Sequence, residues 1–532
     1  MDEAGEQKNQ EEPNSYAINP GTFHPIVFLT SAGLIAVFVA ISLLYSDKAF
    51  SVFTAAKDNV STGAGWFFML STNFFLVTCL YLLFSKAGNI RLGGPKAKPD
   101  FTFLQWMAML FSAGMGIGLV YWSVAEPVFH FFSPPYPTTE AGTPAAASLA
   151  MSRTYFHWGL HAWGIYALMG LALAYFAFNR GLPLTIRSTL YPLLGERVRG
   201  GLGNLVDIIA AVATLFGVAT SLGFGVRQVN AGLEFAFGLP NTVNVQVLLI
   251  AGITLLATLS VVLGLDNGIR RLSEINIGLA AILLLFVFVA GPTLFQLNGL
   301  VQNIGQYFQN LLLSSTWMET YSEAAWPEGW TIFYWAWWIA WSPFVGMFIA
   351  RISRGRTVRQ FILGVLFVPT AITFIWLSVF GNAGLFEALQ GNEAFVAAVN
   401  QDESLSLFAL LNNYSFTMGA SILAIAVIIL FFVTSSDSGS LVIDIITAGG
   451  HIDPPVPQRI FWAVTEGVVA AVLLMVGQEQ ALKSLQTASI VTGLPFAIVL
   501  VAIGISLIRA LNHDVSAKNT GQRSVNDGSP PG

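Results

Sequence analysis

Between Tyr334 and Trp341 the chain reads YWAWWIAW, which puts Trp335, Trp337, Trp338 and Trp341 within seven residues of an otherwise apolar stretch. Indole faces are electron-rich. A methylated onium ion carries positive charge but has no N–H to donate, so such faces are its natural partners, at up to ~2 kcal/mol per desolvated contact. Tryptophan also anchors helices at membrane interfaces and fills cores. Here the spacing i, i+2, i+3 and i+6 points around several sides of a helix of 3.6 residues per turn, a spread that an interfacial belt does not need. Other polar residues suggest weaker chemistry. His157 and His161 have the i, i+4 spacing of a metal pair but lack an HExxH motif or a third ligand, so a hydrogen-bonded structural role is expected. Glu466 is an ionisable group inside an apolar run, proton-linked or structural, with no partner evident in the sequence. Asp437 is a candidate to cap its helix or to pair with the loop from Arg351 to Arg359. The single cysteine, Cys79, excludes an internal disulfide.

The elements that must position these residues are membrane spans. Of 532 residues 55% are hydrophobic and only 10% charged, with a mean hydropathy of +0.66, whereas soluble domains carry about 25% charged residues. Apolar runs of about 20 residues occur near 24–45, 64–85, 102–123, 155–178, 205–226, 243–264, 274–298, 330–350, 358–382, 415–435, 458–477 and 485–508. The sequence therefore predicts an all-α polytopic membrane protein of twelve transmembrane helices in a lipid bilayer. The first twenty-odd residues are polar and acidic and do not resemble a signal peptide, so the N-terminus is expected in the cytoplasm. With that orientation the inner side holds 19 of the 24 Lys and Arg residues, leaving only Lys48, Lys57, Arg153, Arg227 and Lys483 outside, as the positive-inside rule requires. The C-terminus is then cytoplasmic too. No basic or aromatic patterning suits nucleic acid, and no metal or nucleophile constellation suggests an enzyme.

Segment three contains SAGMGIG, from Ser112 to Gly118. Three glycines in five residues weaken a helix by about 1 kcal/mol each, so an unwound stretch is expected there. Segment eight carries Ser342-Pro343, read as a second interruption. A matching pair of broken helices points to an inverted-repeat secondary transporter, with segments 3–7 and 8–12 as the repeats. The expected organisation is a disordered tail over 1–23, two peripheral helices over 24–100, repeats over 101–300 and 301–510, the second with its outer connecting segment, and a short disordered tail over 511–532.

The stretches GMGIGLVYWSVAEPV (114–128), FHWGLHAWGIY (156–166), TSLGFGVRQVNAGL (220–233), WTIFYWAWWIAWSPFVGMFIARISRGRTVRQF (330–361) and FVTSSDSGS (432–440) resemble the betaine/carnitine/choline transporter family. The resemblance implies a LeuT-like 5+5 inverted repeat preceded by two extra helices, and a homotrimer. It also implies an aromatic box for a trimethylammonium or dimethylsulfonium head, matched here by Trp158, Trp163, Tyr166 and Trp338. Spacings of five and three place the first three on roughly one face of a single helix four. Trp335, Trp337 and Trp341 would line the path toward the cytoplasm, Tyr121 and Phe333 would gate the outer side, and Phe344 the inner side.

A substrate carboxylate needs a partner as well, yet no Arg or Lys lies between Lys98 and Arg153 or between Arg271 and Arg351. The backbone around Gly114, Gly116 and Gly118 is the candidate, because glycine lets an anion approach N–H groups closely at a half-helix N-terminus. Proton-coupled choline carriers in the family have Asp where this chain has Gly118, which favours a zwitterion and Na⁺. By the same resemblance a Na⁺ site would use carbonyls of Ser112, Met115 and Phe431 with the hydroxyls of Thr434 and Ser435. A second Na⁺ site matches at Thr214 and Phe344 but has Val218 where a threonine belongs. The expected activity is Na⁺ symport of glycine betaine or dimethylsulfoniopropionate, without an organic cofactor; the alternative is a Na⁺-independent or H⁺-coupled choline or carnitine carrier or exchanger.

Overall fold

Each apolar run falls on helix in the computed structural model, which describes residues 23–114, 116–262, 266–322 and 325–526. Helices α1 (Pro25–Leu44) and α2 (Ser46–Phe84) come first. Segment three is divided into α3 (Phe103–Gly114) and α4 (Ile117–Phe132), so the break falls inside the glycine run. Segment four is also divided, into α5 (Pro144–Trp158) and α6 (Leu160–Arg180). Then follow α7 (Gly201–Phe237), α8 (Val243–Val262), α9 (Asp266–Ala290) and α10 (Thr293–Thr316). The remaining long helices are α11 (Thr331–Ile352), α12 (Val358–Leu389), α13 (Thr417–Thr447), α14 (Val456–Gly477) and α15 (Ala481–Asn526). Among the described residues nine helical stretches are long and apolar enough to cross a membrane, and two shorter apolar helices span 117–132 and 243–259. Large apolar side chains such as Leu29, Val77, Leu255, Leu285 and Leu312 are exposed on α1, α2, α8, α9 and α10, a surface suited to lipid and not to water.

Four sequence expectations need correction. Segment eight is not interrupted: α11 runs through Pro343. Proline removes the N–H that would bond the Ile339 carbonyl one turn back, and the Ser342 hydroxyl donates to that carbonyl instead at 2.8 Å. Ser342→Ala is expected to cost about 1–3 kcal/mol, the penalty for a buried carbonyl left unpaired, measurable as a lowered midpoint in detergent-solubilised thermal unfolding. Segment four is not one helix. Gly159 separates α5 from α6, and a Cβ there would lie 2.6 Å from the Tyr155 carbonyl, while the first amide of α6, Leu160, donates to the Tyr307 hydroxyl at 3.1 Å. The outer connecting segment between the seventh and eighth apolar runs, expected without a helix of its own, is largely the helix α10. Finally, α15 continues past 510, where Asp514 accepts from Arg180 Nη2 at 2.6 Å and from the Tyr175 hydroxyl at 2.7 Å.

Packing joins distant parts of the chain. α11 lies along α6, and α12 along α3 and α4; α7 packs on α15, and α13 on α9; α7 also lies on α13 and α8 on α14. The break in segment three, the α5–α6 break and the middle of α11 thereby meet at the centre of the bundle.

Candidate functional site

Trp158 ends α5, beside the Gly159 break, and Trp163 and Tyr166 follow on the first turns of α6. Across from them, α11 presents Trp338. Trp158 and Trp338 meet edge to face with centroids 4.8 Å apart, Tyr166 lies 6.3 Å from Trp338, and Trp163 lies 5.3 Å from Tyr166. These four rings, with Gly116, Gly118, Ser221, Trp337, Trp341 and Thr373, wall a cavity of about 40 Å³. A water needs about 10–15 Å³ by this measure, so the cage is narrow. Its charge character is aromatic and backbone, with no ionised side chain on the wall. The Tyr166 hydroxyl and the Trp341 indole N–H are buried without a hydrogen-bond partner among the described residues.

The other sequence candidates sort by place. Trp337 is part of the cavity wall; it stacks on Trp338 at 4.6 Å and 15°, and its indole N–H donates to the Gly217 carbonyl at 3.4 Å. Trp341 lines this cavity and also a second one of about 130 Å³, whose walls include Phe344, Phe431, Thr434, Ser435, Asn276 and Ser438. Trp335 lines neither cavity: it packs on Phe156 at 5.1 Å and on His161 at 5.8 Å, so the structure does not bring it together with Trp337 and Trp341 on a cavity wall. Tyr121 and Phe333 are fully buried around Phe224, 4.9 Å and 6.3 Å from its ring. Gly118 is pressed against the cage, since a Cβ there would sit 2.4 Å from Trp337 Cη2 and 3.3 Å from Trp158 Cη2.

Of the residues expected at a Na⁺ site, Phe431, Thr434 and Ser435 share the second cavity. Thr434 donates to the Leu430 carbonyl at 2.9 Å, which leaves its lone pairs free to ligate. Met115 lies outside the described residues, and Ser112 and Gly114 are described by backbone alone. Thr214 lines neither cavity, and its hydroxyl bonds back to the Ala210 carbonyl at 2.7 Å. Asp437 pairs with Arg459 at 3.3 Å, a partner on α14 in addition to the helix cap or the Arg351–Arg359 loop considered from the sequence. Glu466 accepts from the Ser436 hydroxyl at 3.1 Å, and its other oxygen has no partner among the described residues.

Two features escaped sequence reading. The first is a polar latch on the side of the cage away from the Thr434 cavity. Tyr121 donates to Glu403 at 2.8 Å, and Arg227 donates to Tyr121 at 3.0 Å, to Asp402 at 3.1 Å and to Glu403. Arg227 and Asp402 in turn line an open vestibule. The second is Glu126, completely buried on α4. Its carboxylate meets the Trp158 indole N–H at 2.8 Å, the Tyr334 hydroxyl at 2.5 Å, His157 Nδ1 at 2.6 Å and His130 Nε2 at 3.3 Å. An acid within an apolar run signals function by default, but Glu126 lies three residues beyond the end assigned to segment three, and α4 in fact extends to Phe132. His157 uses its other nitrogen with Thr331 at 2.9 Å, and His161 bonds Asn73 at 3.0 Å and Ser315 at 3.1 Å. Both histidines are therefore tied into hydrogen bonds.

Comparison with known proteins gives the family. Residues 26–516 match the profile of the betaine/carnitine/choline family transporters. A glycine betaine/proline/choline transporter of Vibrio parahaemolyticus is 46% identical, covering 94% of this chain and 92% of its own. A glycine betaine transporter of Acinetobacter baylyi is 46% identical over 94% of this chain and 75% of its own, and one of Bacillus subtilis 44% over 92% and 94%. Among solved structures, a manganese transporter of Eremococcus coleocola superposes with a TM-score of 0.44 at 14% identity over 78% of this chain and 81% of that one, a likeness too loose to fix the fold. With its helices, its aromatic cavity and this similarity along nearly its whole length, the chain is a multi-pass membrane transport protein, not an enzyme, and belongs to the betaine/carnitine/choline transporter family.

Proposed function

We propose that this protein imports a methylated onium zwitterion, glycine betaine or dimethylsulfoniopropionate, by Na⁺ symport across a bacterial inner membrane. The observation that carries the reading is the single cavity in which Trp158, Trp163, Tyr166 and Trp338 face Gly116 and Gly118. The rings supply faces for the onium head. The N-terminus of α4, beginning at Ile117, supplies free N–H groups for the carboxylate, supported by the unpartnered Tyr166 hydroxyl and Trp341 N–H. The relatives named for glycine betaine transport favour the nitrogen onium.

The mechanism is alternating access. The latch of Arg227, Tyr121, Asp402 and Glu403 closes one side, and the Lys and Arg asymmetry supports assigning that side to the periplasm, with Trp341 separating the cage from the Thr434 cavity toward the cytoplasm. Packing supports a 5+5 inverted repeat within twelve spans. Segment four lies on eight as nine lies on three, and five on twelve as ten on seven, which is the exchange that a two-fold axis in the membrane plane produces. Assembly as a homotrimer with both termini in the cytoplasm belongs to the same reading.

Na⁺ would be carried by Phe431, Thr434 and Ser435 together with the α3–α4 break, and the Val218 position argues against the second site. A zwitterion adds no net charge, so each Na⁺ moves one charge inward and gains about 2.3 kcal/mol per 100 mV, enough for roughly 50-fold accumulation. Uptake of labelled glycine betaine into proteoliposomes tests the coupling: replacing NaCl by KCl is expected to reduce uptake to background. Thr434→Ala, which removes one oxygen ligand, is expected to raise the Na⁺ concentration for half-maximal uptake about tenfold, the equivalent of ~1.4 kcal/mol. Undiminished uptake in KCl would eliminate Na⁺ symport in favour of an H⁺-coupled or uncoupled carrier of choline or carnitine.

A further inference from the structure

Glu126 has no role in the reading above, yet its contacts converge on the cage. Both of its oxygens are engaged. The Trp158 N–H and the Tyr334 O–H reach Oε2, and His157 Nδ1 and His130 Nε2 reach Oε1. An ionised carboxylate is acceptor-only and can take about four hydrogen bonds, which is the number present. His157, whose Nε2 lies against the Thr331 hydroxyl, also offers its backbone carbonyl to the Trp338 indole N–H at 2.9 Å. One carboxylate on α4 therefore holds Trp158 directly and Trp338 through His157. Glu126, His130 and His157 could also be read as three metal ligands, but Oε2 of the carboxylate is already taken by the Trp158 N–H and the Tyr334 O–H.

We propose that Glu126 is a positioning and specificity residue of the onium cage, the anion that makes its aromatic faces select a positive charge. This inference rests on the proposed onium substrate. A carboxylate accepting from an indole N–H makes a charge-assisted hydrogen bond. The bond draws the N–H proton toward the oxygen and returns electron density to the ring whose face borders the cavity. The face then attracts a cation more strongly, and the negative charge behind the ring adds to that attraction in a site of low dielectric. Among the described residues, the one other buried charge in this neighbourhood is Arg153, on α5 one turn before His157. It is stacked over Tyr136 and Trp317, with centroids 4.7 Å and 4.8 Å away, and shares a hydrogen bond with Tyr136. Among the described residues it forms no ion pair with Glu126.

The test compares two ligands of nearly one shape: glycine betaine and 3,3-dimethylbutyrate, in which a carbon replaces the onium nitrogen. Binding to purified full-length protein is titrated by isothermal calorimetry. Wild type should bind glycine betaine much more tightly than the carbon isostere; if it shows no such preference, the onium reading itself fails. Given that preference, Glu126→Gln, which keeps size and removes charge, is expected to weaken glycine betaine about tenfold or more while changing the isostere by less than about threefold. Where Glu126→Gln does not yield folded protein, replacing Trp158 by 3-benzothienylalanine makes the same cut from the other end, because it keeps the bicyclic shape and loses the N–H. The same selective loss is expected. Equal weakening of both ligands, or no weakening of either, overturns the proposal and leaves Glu126 a packing residue.

Discussion

Trp338→Ala is expected to weaken glycine betaine binding by at least about 2 kcal/mol, roughly a 30-fold rise in Kd. Trp338 is the point at which the two halves of the cage meet: it faces Trp158 at 4.8 Å and Tyr166 at 6.3 Å, and it stacks on Trp337 at 4.6 Å. Its N–H also holds the His157 carbonyl. Removing the ring deletes one face for the onium head and frees its neighbours to move. Trp338→Phe retains an aromatic face but not the N–H, so a smaller loss is expected. Tryptophan-fluorescence titration of the purified variants measures both, and equal affinity in wild type and the Ala variant would remove Trp338 from the substrate site.

The second large effect is expected at Gly118. A Cβ at that position would approach Trp337 Cη2 to 2.4 Å and Cζ2 to 3.2 Å, well inside van der Waals contact. Trp337 has nowhere simple to go, because it is stacked on Trp338 and on Phe333 (5.5 Å, 15°) and has Phe224 at its edge (5.2 Å, 81°). Overpacking of this kind costs about 1–3 kcal/mol. Gly118→Ala should therefore lower initial rates of glycine betaine uptake about tenfold or more, with normal membrane insertion. Gly118→Asp adds a carboxylate beside the N-terminus of α4, where it competes with the substrate's own anion. What binding remains should shift from glycine betaine toward cationic choline. Wild-type uptake rates in the Ala variant would show that the indoles yield freely and that glycine is not required there.

Much of the fold is legible in composition. A run of about twenty apolar residues has one stable form in a bilayer, because a helix alone satisfies its backbone without a partner, and each of the twelve runs lies on helix. Gly114, Gly116 and Gly118 disclosed the α3–α4 break because glycine weakens a helix wherever it sits. Pro343 misled for an equally local reason: its effect was cancelled by a single hydroxyl, Ser342, bonding the orphaned carbonyl. Gly159 gave no such warning, since a lone glycine in an apolar run has many uses, and its break depends on the Tyr307 hydroxyl, from α10, capping Leu160.

That Trp158, Trp163, Tyr166 and Trp338 would come together around one cavity could be read from motif and residue type, because aromatic faces suit a methylated cation. Their separation from their neighbours could not. Trp335 and Trp337 differ by two positions and an identical side chain, yet one is packed on His161 and the other walls the cavity. Nor could the chain by itself join Glu126 to Trp158 and Tyr334, or Arg227 to Glu403. Helix propensity and hydropathy act over neighbouring residues, and those determined the elements. Which face of α11 turns toward α6, and which donors a buried carboxylate meets, depends on contacts between residues more than two hundred positions apart, such as Glu126 and Tyr334. Only the packed bundle decides them.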